Sequence, residues 1–416
     1  MGSVNIDNTG SGADVTLSSD GTDLLLDGTA IGGGGGGDPD LYSDSANGSA
    51  VTPTSNAGGS YNSVAIGNGA DIGSGRGESI AIGTDALTNQ SQAIALGKAA
   101  TVGSGGSFAT ALGRNSLANG TSATAIGTSY ASGSDSFAAA ISTNSSSYGA
   151  TGASSIAMGY QAKATQSYAF ATGYQAQSTG NSGISMGFQA NAGGQGVALG
   201  YKGRATGGNA FGVNNNTSGG ATGYLSTAIG DSCLASGNSS VAMGLGSQAD
   251  AAGSVVLGSR GHAQGIQNRY VFSPKSLIGS NDGASQYGVF VLIGATTDAT
   301  AKVLTTNNTT AGTDDQIILP NNSAYAFHGT IVARESATDG TECAAWKVEG
   351  LIRREGSAGT TVLVNSATTV LDNTPSWGLA LSADTTNGGL KVEATGAAST
   401  NIRWVSTIHT TEVTYA

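Results

Sequence analysis

The feature that constrains this chain most is a short phrase that recurs along it: a small or polar residue, then Ala, an aliphatic residue and Gly. Ala81-Ile82-Gly83 and Ala95-Leu96-Gly97 are two copies. Successive copies are most often 14 residues apart, with excursions from 12 to 18. A recurring period of this kind indicates a stack of equivalent units, each of which cannot bury its apolar face alone.

Within each repeat, small residues alternate with larger ones, as in Gln161-Ala162-Lys163-Ala164. A period of two places alternate side chains on opposite faces, which is typical of a strand. Helical spacing and runs of helix-favouring residues are absent. The 68 glycines provide turns between the short strands. The repeat therefore predicts a coil of two short strands joined by Gly-rich turns.

The length of one coil limits what it can enclose. At roughly 3.3 Å per residue, 14 residues give a contour of about 46 Å, so the interior is thin. Ala and Gly fit it, together with about one aliphatic side chain per coil. The sequence thus predicts a repeat core made of Ile66, Ile82, Leu96, Leu112, Ile126, Met158, Leu199, Ile229, Met243 and Leu257.

Such a core is small for the chain that it must order. Burying one aliphatic side chain contributes about 1.5–3 kcal/mol, whereas ordering each backbone residue costs about 1–2 kcal/mol. We therefore expect an obligate oligomer in which several chains share a core. Thirteen coils between Gly67 and Gly258, stacked at about 4.8 Å, predict a rod of roughly 60 Å.

The phrases Ser79-Ile80-Ala81-Ile82-Gly83 and Ser239-Ser240-Val241-Ala242-Met243-Gly244 resemble the head repeats of trimeric autotransporter adhesins, the YadA-like head. The resemblance covers about residues 61–265. It implies a left-handed parallel β-roll and the packing of three rolls into a homotrimer. The signal peptide, coiled-coil stalk and C-terminal barrel anchor of those adhesins have no counterpart in the sequence.

The N-terminal flank predicts an attachment segment over residues 1–37. Residues 1–60 hold eight Asp and no Lys or Arg, so they could dock on a basic protein surface or remain a solvated tail. The six glycines from Gly32 to Gly37 predict a hinge or a flexible linker. Residues 38–60 are predicted to be a linker that leads into the roll.

The composition changes near Arg269, and residues 266–416 hold all three Trp. Turns such as Asn387-Gly388-Gly389 separate strand-like runs, which predicts an antiparallel β-sandwich of jelly-roll type. The runs are Gly288–Ile293, Gln316–Leu319, Ala324–Arg334, Ala344–Arg353, Thr360–Val364, Trp377–Leu381, Gly389–Glu393 and Asn401–Thr410.

Two phrases in this region, Trp377-Gly378-Leu379 and Asn401-Ile402-Arg403-Trp404-Val405, resemble the C-terminal modules of tail fibres and other structural proteins of marine tailed phages. The order of attachment segment, repetitive shaft and compact tip is that of a phage fibre. Trp346 and Trp404 are predicted to be core. Trp377 follows a loop, so it is the candidate for contact with a receptor.

Composition argues against several other classes of function. A net charge of −11 without clustered Lys and Arg disfavours nucleic-acid binding. No apolar stretch is long enough for membrane insertion by a helix. The two cysteines have no metal-ligand spacing, and the three His suggest no catalytic triad. We expect no enzyme activity, no cofactor and no metal.

The sequence therefore predicts an all-β, homotrimeric tail fibre of a phage virion. Its N-terminus would bind other virion tail proteins, and its C-terminal tip would recognise a host surface polysaccharide or outer-membrane protein. The alternatives are a capsid-borne fibre or decoration protein without an adhesive role, and a fragment of a bacterial trimeric surface adhesin. A tailspike depolymerase is disfavoured, because no pair of carboxylates at glycosidase spacing is indicated.

Overall fold

The fold is described from a computed structural model. The chain divides into two units, Met1–Thr52 and Pro53–Ala416. The structure describes residues 4–6, 15–19, 24–26, 29–30, 62–142, 147–216, 218–275, 282–373 and 377–415.

The first unit is an antiparallel meander. Its strands pair in chain order, so that each one is a neighbour of the next. The predicted glycine hinge, Gly32–Gly37, and the linker at 38–60 lie outside the described residues. The strands are β1 Val4–Ile6, β2 Val15–Ser19, β3 Leu24–Leu26 and β4 Thr29–Ala30.

The repeats form a parallel β-solenoid, which confirms the predicted all-β roll. Each strand of the roll is only two to five residues long, because Gly-rich turns interrupt the chain at short intervals. They are β5 Val64–Ile66, β6 Asp71–Ile72, β7 Ile80–Ile82, β8 Leu87–Thr88, β9 Ile94–Leu96, β10 Thr101–Val102, β11 Thr110–Leu112, β12 Leu117–Ala118, β13 Thr124–Ile126, β14 Tyr130–Ala131, β15 Phe137–Ala139, β16 Gly149–Ala150, β17 Ile156–Met158, β18 Lys163–Ala164, β19 Phe170–Thr172, β20 Gln177–Ser178, β21 Ile184–Met186, β22 Asn191–Ala192, β23 Val197–Leu199, β24 Arg204–Ala205, β25 Phe211–Val213, β26 Gly220–Ala221, β27 Thr227–Ile229, β28 Leu234–Ala235, β29 Val241–Leu245, β30 Gln248–Ala249 and β31 Val255–Ser259.

The odd-numbered strands β5 to β31 stack into one parallel sheet and the even-numbered strands β6 to β30 into a second. Equivalent residues of successive coils are partners, so Ala81, Ala95 and Ala111 form one column and Ile82, Leu96 and Leu112 another. We call the first of these sheets the odd sheet and the second the even sheet.

The core of the roll is alanine, and the predicted aliphatic core is wrong. The second residue of each odd strand from β7 to β31, such as Ala95 or Ala125, is buried, as is the second residue of the even strands. In a strand the aliphatic residue next to that Ala must lie on the opposite face. The interior is too thin for the longer side chains, so the ten predicted core residues lie half-buried or exposed on the outer face of the odd sheet: Ile66, Ile82, Leu96, Leu112, Ile126, Met158, Leu199, Ile229, Met243 and Leu257.

The glycine that ends the repeat phrase is required by backbone geometry. Gly97 has φ +131°, a region that side chains rarely adopt. A Cβ at this position would lie 2.8 Å from the carbonyl carbon of Gly113 in the next coil. Glycine thus lets successive coils approach closely where the chain leaves the odd sheet.

After the roll the chain forms a tip of antiparallel strands. β32 Tyr270–Ser273 is parallel to β31 and antiparallel to the strand that follows. The remaining strands are β33 Ser285–Thr296, β34 Ala301–Val303, β35 Ile317–Ile318, β36 Ser323–Glu335, β37 Cys343–Arg354, β38 Val362–Asn373, β39 Gly378–Asp384, β40 Gly389–Thr395 and β41 Ile402–Thr414.

The tip is a sandwich of two unequal sheets. The larger sheet has the order β32-β33-β41-β36-β37-β38, so the last strand is inserted between β33 and β36. In the smaller sheet, β40 pairs with β39 on one edge and with β34 and β35 on the other. Buried side chains between the sheets include Phe290, Tyr325, Trp346 and Val392.

Helix is almost absent from the described residues. The single element of this kind is a 3-10 turn at Ala358–Thr360. Nowhere in the described part of the chain does a helix have the length and apolar character to cross a membrane.

Candidate assembly and recognition surfaces

The outer face of the odd sheet carries two columns of mostly apolar side chains, one on each side of the buried Ala column. Ile94 and Leu96 flank Ala95, and Val241 and Met243 flank Ala242. Leu112 is 40% exposed and Met186 is 44% exposed. Monomeric soluble proteins rarely expose contiguous apolar patches larger than a few hundred Å². This face has the character of an interface.

The apolar face continues from the roll into the tip, because one sheet passes through both. Leu257 in β31 pairs with Phe272 in β32, and Phe272 pairs with Tyr287 in β33. Phe272 is 49% exposed. On the outer face of the larger tip sheet the exposed apolar residues include Val291, Val332, Leu351, Val405 and Val413. We call the outer face of the odd sheet, together with the outer face of the larger tip sheet, the continuous face.

A polar patch interrupts the continuous face in the tip. Val289, His409, His328 and Glu349 are partners in one row across four strands. The rings of His328 and His409 stack with centroids 5.1 Å apart. The hydroxyl of Tyr287 shares a hydrogen bond with Nδ1 of His409. Imidazoles and a carboxylate side by side can bind polar groups of a ligand or of a partner chain.

The patch lies in a shallow depression of the sheet. Sequence reasoning missed it, because the two histidines are 81 positions apart and only the register of β36 against β41 brings them together. The residues that line the depression are His328, Gly329, Thr330, Lys347, Val348, Glu349, Ala367, Thr369, Thr407 and His409.

Trp377, the candidate receptor contact, is buried, and the prediction that it is exposed is wrong. Only 4% of it is accessible. Its ring lies 6.0 Å from that of Trp404, which in turn stacks on Trp346 at 5.6 Å. The predicted core positions of Trp346 and Trp404 are confirmed. Trp377 precedes β39 of the smaller sheet, so its side chain is directed between the two sheets rather than outward.

The junction of roll and tip holds a buried ion pair. Arg269 and Glu412 have no accessible side-chain surface, and Arg269 Nη2 bonds to Glu412 Oε2. Gln286 Nε2 donates to the same Glu412 oxygen at 2.8 Å, and Arg269 Nη1 donates to Gln264 Oε1 at 2.7 Å. Burial alone lowers the pKa of Arg269, but Glu412 and Tyr325 together outweigh burial and raise it. The pair ties β41 to the last coil.

Two of the acidic side chains, Glu78 of the roll and Asp315 of the tip, have structural contacts. Glu78 accepts a hydrogen bond from Gln92 at 2.7 Å, and Asp85 lies in a turn with φ +57°. Asp315 is buried and accepts from Gly312 N at 2.7 Å and from Thr309 Oγ1 at 3.0 Å. The contacts of Glu78 and Asp315 are of the kind that stabilise turns and loops.

The cysteines and possible metal ligands were also located. Cys233 is buried and Cys343 exposed, and both thiols are free. Burial raises the pKa of the Cys233 thiol, which keeps it protonated. Among the described residues, no group of three or more His, Cys, Asp or Glu is placed to hold a metal ion.

Comparison with known proteins identifies the repeat. The YadA head domain repeat matches residues 78–100, 104–129, 150–176 and 235–260. These four segments lie in the roll, and the resemblance inferred from the repeat phrases is thereby supported. No curated protein sequence matches the chain.

Two solved structures show distant similarity. A tailspike protein of the Acinetobacter baumannii bacteriophage Fri1, a capsular polysaccharide depolymerase, is 11% identical over 85% of this chain and 69% of its own, with a TM-score of 0.24. The tailspike protein of Acinetobacter baumannii phage AM24 is 10% identical over 84% of this chain and 54% of its own, with a TM-score of 0.16.

Proposed function

We propose that the chain is a homotrimeric adhesive fibre of a phage tail, in which three copies bury their continuous faces against one another. The observation that carries the proposal is that face: a long apolar surface on a roll whose own core is mostly alanine. Sharing it among copies supplies the buried area that a single roll lacks. The number three follows from the resemblance of the repeat to the YadA head.

The proposed roles of the ends come from the order of segments. Residues 1–37 attach the fibre to other tail proteins, and the C-terminal tip recognises the host surface. The burial of Trp377 leaves loops and the outer surface of the smaller sheet for this contact. Weak sites repeated in three copies gain strength through avidity.

We further propose that the fibre binds its host without cleaving it. Asp315 accepts a hydrogen bond within a loop and Glu355 is paired with Arg353, so each has a structural contact. Incubation of the fibre with host envelope should release no sugar. Released oligosaccharide would replace the binding role with a depolymerase role.

The location on the virion is tested by immunogold electron microscopy on native particles and cells, with antibody raised to residues 268–416. Gold at the distal ends of tail appendages is the expected result. Gold over capsids would instead indicate a capsid fibre or decoration protein. Gold on bacterial envelopes with bare particles would overturn the phage assignment in favour of a surface adhesin.

A further inference from the structure

An aromatic ladder runs along four successive coils of the roll. It is formed by the residue that follows the phrase glycine in each coil: Tyr160, Tyr174, Phe188 and Tyr201. Neighbouring ring centroids lie 5.1, 5.1 and 5.2 Å apart, with interplanar angles of 6° to 12°. The four side chains are 40–57% exposed. They form an apolar ridge that carries three hydroxyl groups.

Two polar columns follow the same four coils. In the first, Gln175 Nε2 donates to Gln161 Oε1 and Gln189 Nε2 donates to Gln175 Oε1, both at 2.9 Å, and Lys202 takes the fourth position. These hydrogen bonds hold the amides in fixed positions beside the rings. Lys202 Nζ lies 5.3 Å from the centre of the Tyr201 ring.

The second column lies on the outer face of the even sheet. The register pairs Lys163 with Gln177, Gln177 with Asn191, and Asn191 with Arg204. The next residue of each strand is buried, so these four side chains are directed outward. The column has a cation at each end and amides between.

The charge of this segment differs from that of the rest of the chain. The net charge of the protein is −11, yet residues 136–230 contain no Asp or Glu and three basic residues. The three are Lys163, Lys202 and Arg204, and none of them forms a salt bridge with a described residue. Within the described part of the chain, Arg204 Nη1 donates only to the carbonyl of Gly219, at 3.4 Å. Cations without a carboxylate partner favour an anionic ligand.

The ladder lies in turns outside the strands of the odd sheet, and it is exposed in the isolated chain. The equivalent position in other coils is occupied by Lys98, Arg114 and Asp231. Charged residues are depleted at the centre of protein interfaces. The aromatic ladder is therefore distinct from the continuous face that is proposed to join the three copies.

We propose that these four coils bind a linear anionic polysaccharide, with its chain parallel to the roll axis and about one sugar unit per coil. The ring spacing of about 5 Å is close to the length of one hexopyranose unit. The ridge contacts the apolar faces of the sugars, the hydroxyls and amides bond to their hydroxyls, and the basic side chains pair with carboxylates. The proposal deepens the proposed function, because it gives host recognition a ligand class and a second site on the shaft.

Affinity electrophoresis of the full chain tests the proposal. The gels contain alginate, a linear 1,4-linked polymer of uronates, or the neutral linear polymer hydroxyethyl cellulose. Alginate should retard the protein strongly, with the effect weakened by added salt, and hydroxyethyl cellulose should retard it at least tenfold less. Equal retardation by the neutral polymer, or none by alginate, would contradict the proposed ligand class.

Variants separate binding from stability. Tyr174→Ala/Phe188→Ala should weaken alginate binding at least tenfold, and Lys163→Gln/Arg204→Gln should weaken it several-fold and reduce its salt dependence. Phe108→Ala/Tyr168→Ala is the matched control, because both rings are exposed but neither belongs to the ladder. A ladder variant that melts earlier but binds alginate as the wild type does would show that the ladder only stabilises the roll.

The same samples are examined by sedimentation. A monomeric wild type that still binds alginate would contradict the homotrimer and leave the ladder site standing. A homotrimer that fails to bind alginate would contradict the ladder site alone. The two proposals therefore fail separately.

Discussion

At the scale of single residues, alanine sets the width of the roll. Four small side chains per coil, such as Ala93, Ala95, Ala100 and Val102, fill the interior completely. Extra methylene groups at the alanine positions would strain the roll, because a close-packed interior does not accommodate them. The aliphatic residues of the repeat phrase lie on the outside, where they form the continuous face.

The glycine column makes the first prediction. Gly97→Ala should destabilise the protein by about 1–3 kcal/mol from backbone strain alone, and the contact with Gly113 adds to this. Gly127→Ala is the control, because Gly127 belongs to the same column but has φ +72° and no atom within 4 Å of the added Cβ. Urea unfolding at one protomer concentration measures both. Equal losses would refute a role for the close approach of the coils.

The buried ion pair makes the second prediction. Glu412→Gln should lower the free energy of unfolding by about 3–5 kcal/mol, because it leaves the charge of Arg269 buried without a carboxylate to balance it. Glu355→Gln removes the exposed pair with Arg353 and should cost about 0–1 kcal/mol. Thermal unfolding of the two variants beside the wild type checks this. If Glu412→Gln lowered the stability no more than the control does, the stabilising role of the buried ion pair would be contradicted.

At the scale of elements, alternation and turn residues were enough to locate most of the strands in the tip. The run Ala324–Arg334 differs from β36 by one residue at each end. The short strand β34 was missed, because three residues carry too little pattern. Most of β38 was also missed, since its residues are exposed along the edge of the sheet and show no alternation.

Pairing between elements is what the sequence could not supply. The His328 and His409 patch depends on the register of two strands that are distant in the chain. The burial of Trp377 depends on the second sheet that covers it. Alternation in the repeat shows that Ala and the aliphatic residue lie on opposite faces of the strand, but it does not show which face is interior. Only the width of the folded coil showed that Ala lies inside.

The turn between β39 and β40 makes the third prediction. Asp384 accepts hydrogen bonds from Thr386 N, Asn387 N and Asn387 Nδ2 at 2.8–3.0 Å and from Gln316 Nε2 at 3.2 Å. Burial alone raises the pKa of Asp384, but these bonds outweigh burial and hold the pKa below its ordinary value of 3.8. The folded protein thus favours the carboxylate over the acid.

The stabilisation by Asp384 is fully present above pH 3.8, the ordinary value, and is lost as the pH falls through the lowered pKa of the folded state. Asp384→Asn should therefore be less stable than the wild type at pH 7, with a difference that shrinks below pH 4. Melting temperatures between pH 3 and pH 7 measure it. A difference that is independent of pH would show that the charge is not involved.

At the scale of the whole roll and tip, one sheet connects the two parts. The odd sheet continues through β32 into the larger tip sheet, and its outer face carries exposed apolar side chains on both sides of the junction. The trimer that we propose would close this face along its full length. Recognition surfaces would then lie on the turns that carry the aromatic ladder, on the even sheet and on the smaller tip sheet.

The most direct test of this account is the mass of the full chain in solution by sedimentation equilibrium. The account predicts three times the chain mass of 40.5 kDa. It also predicts that Leu96→Glu/Leu112→Glu, which places two carboxylates on the continuous face, dissociates the assembly. Thr84→Glu/Lys98→Glu, with the same two groups on the neighbouring turns, should keep the mass of the wild type. A wild type that sediments as a stable, folded monomer would contradict the account.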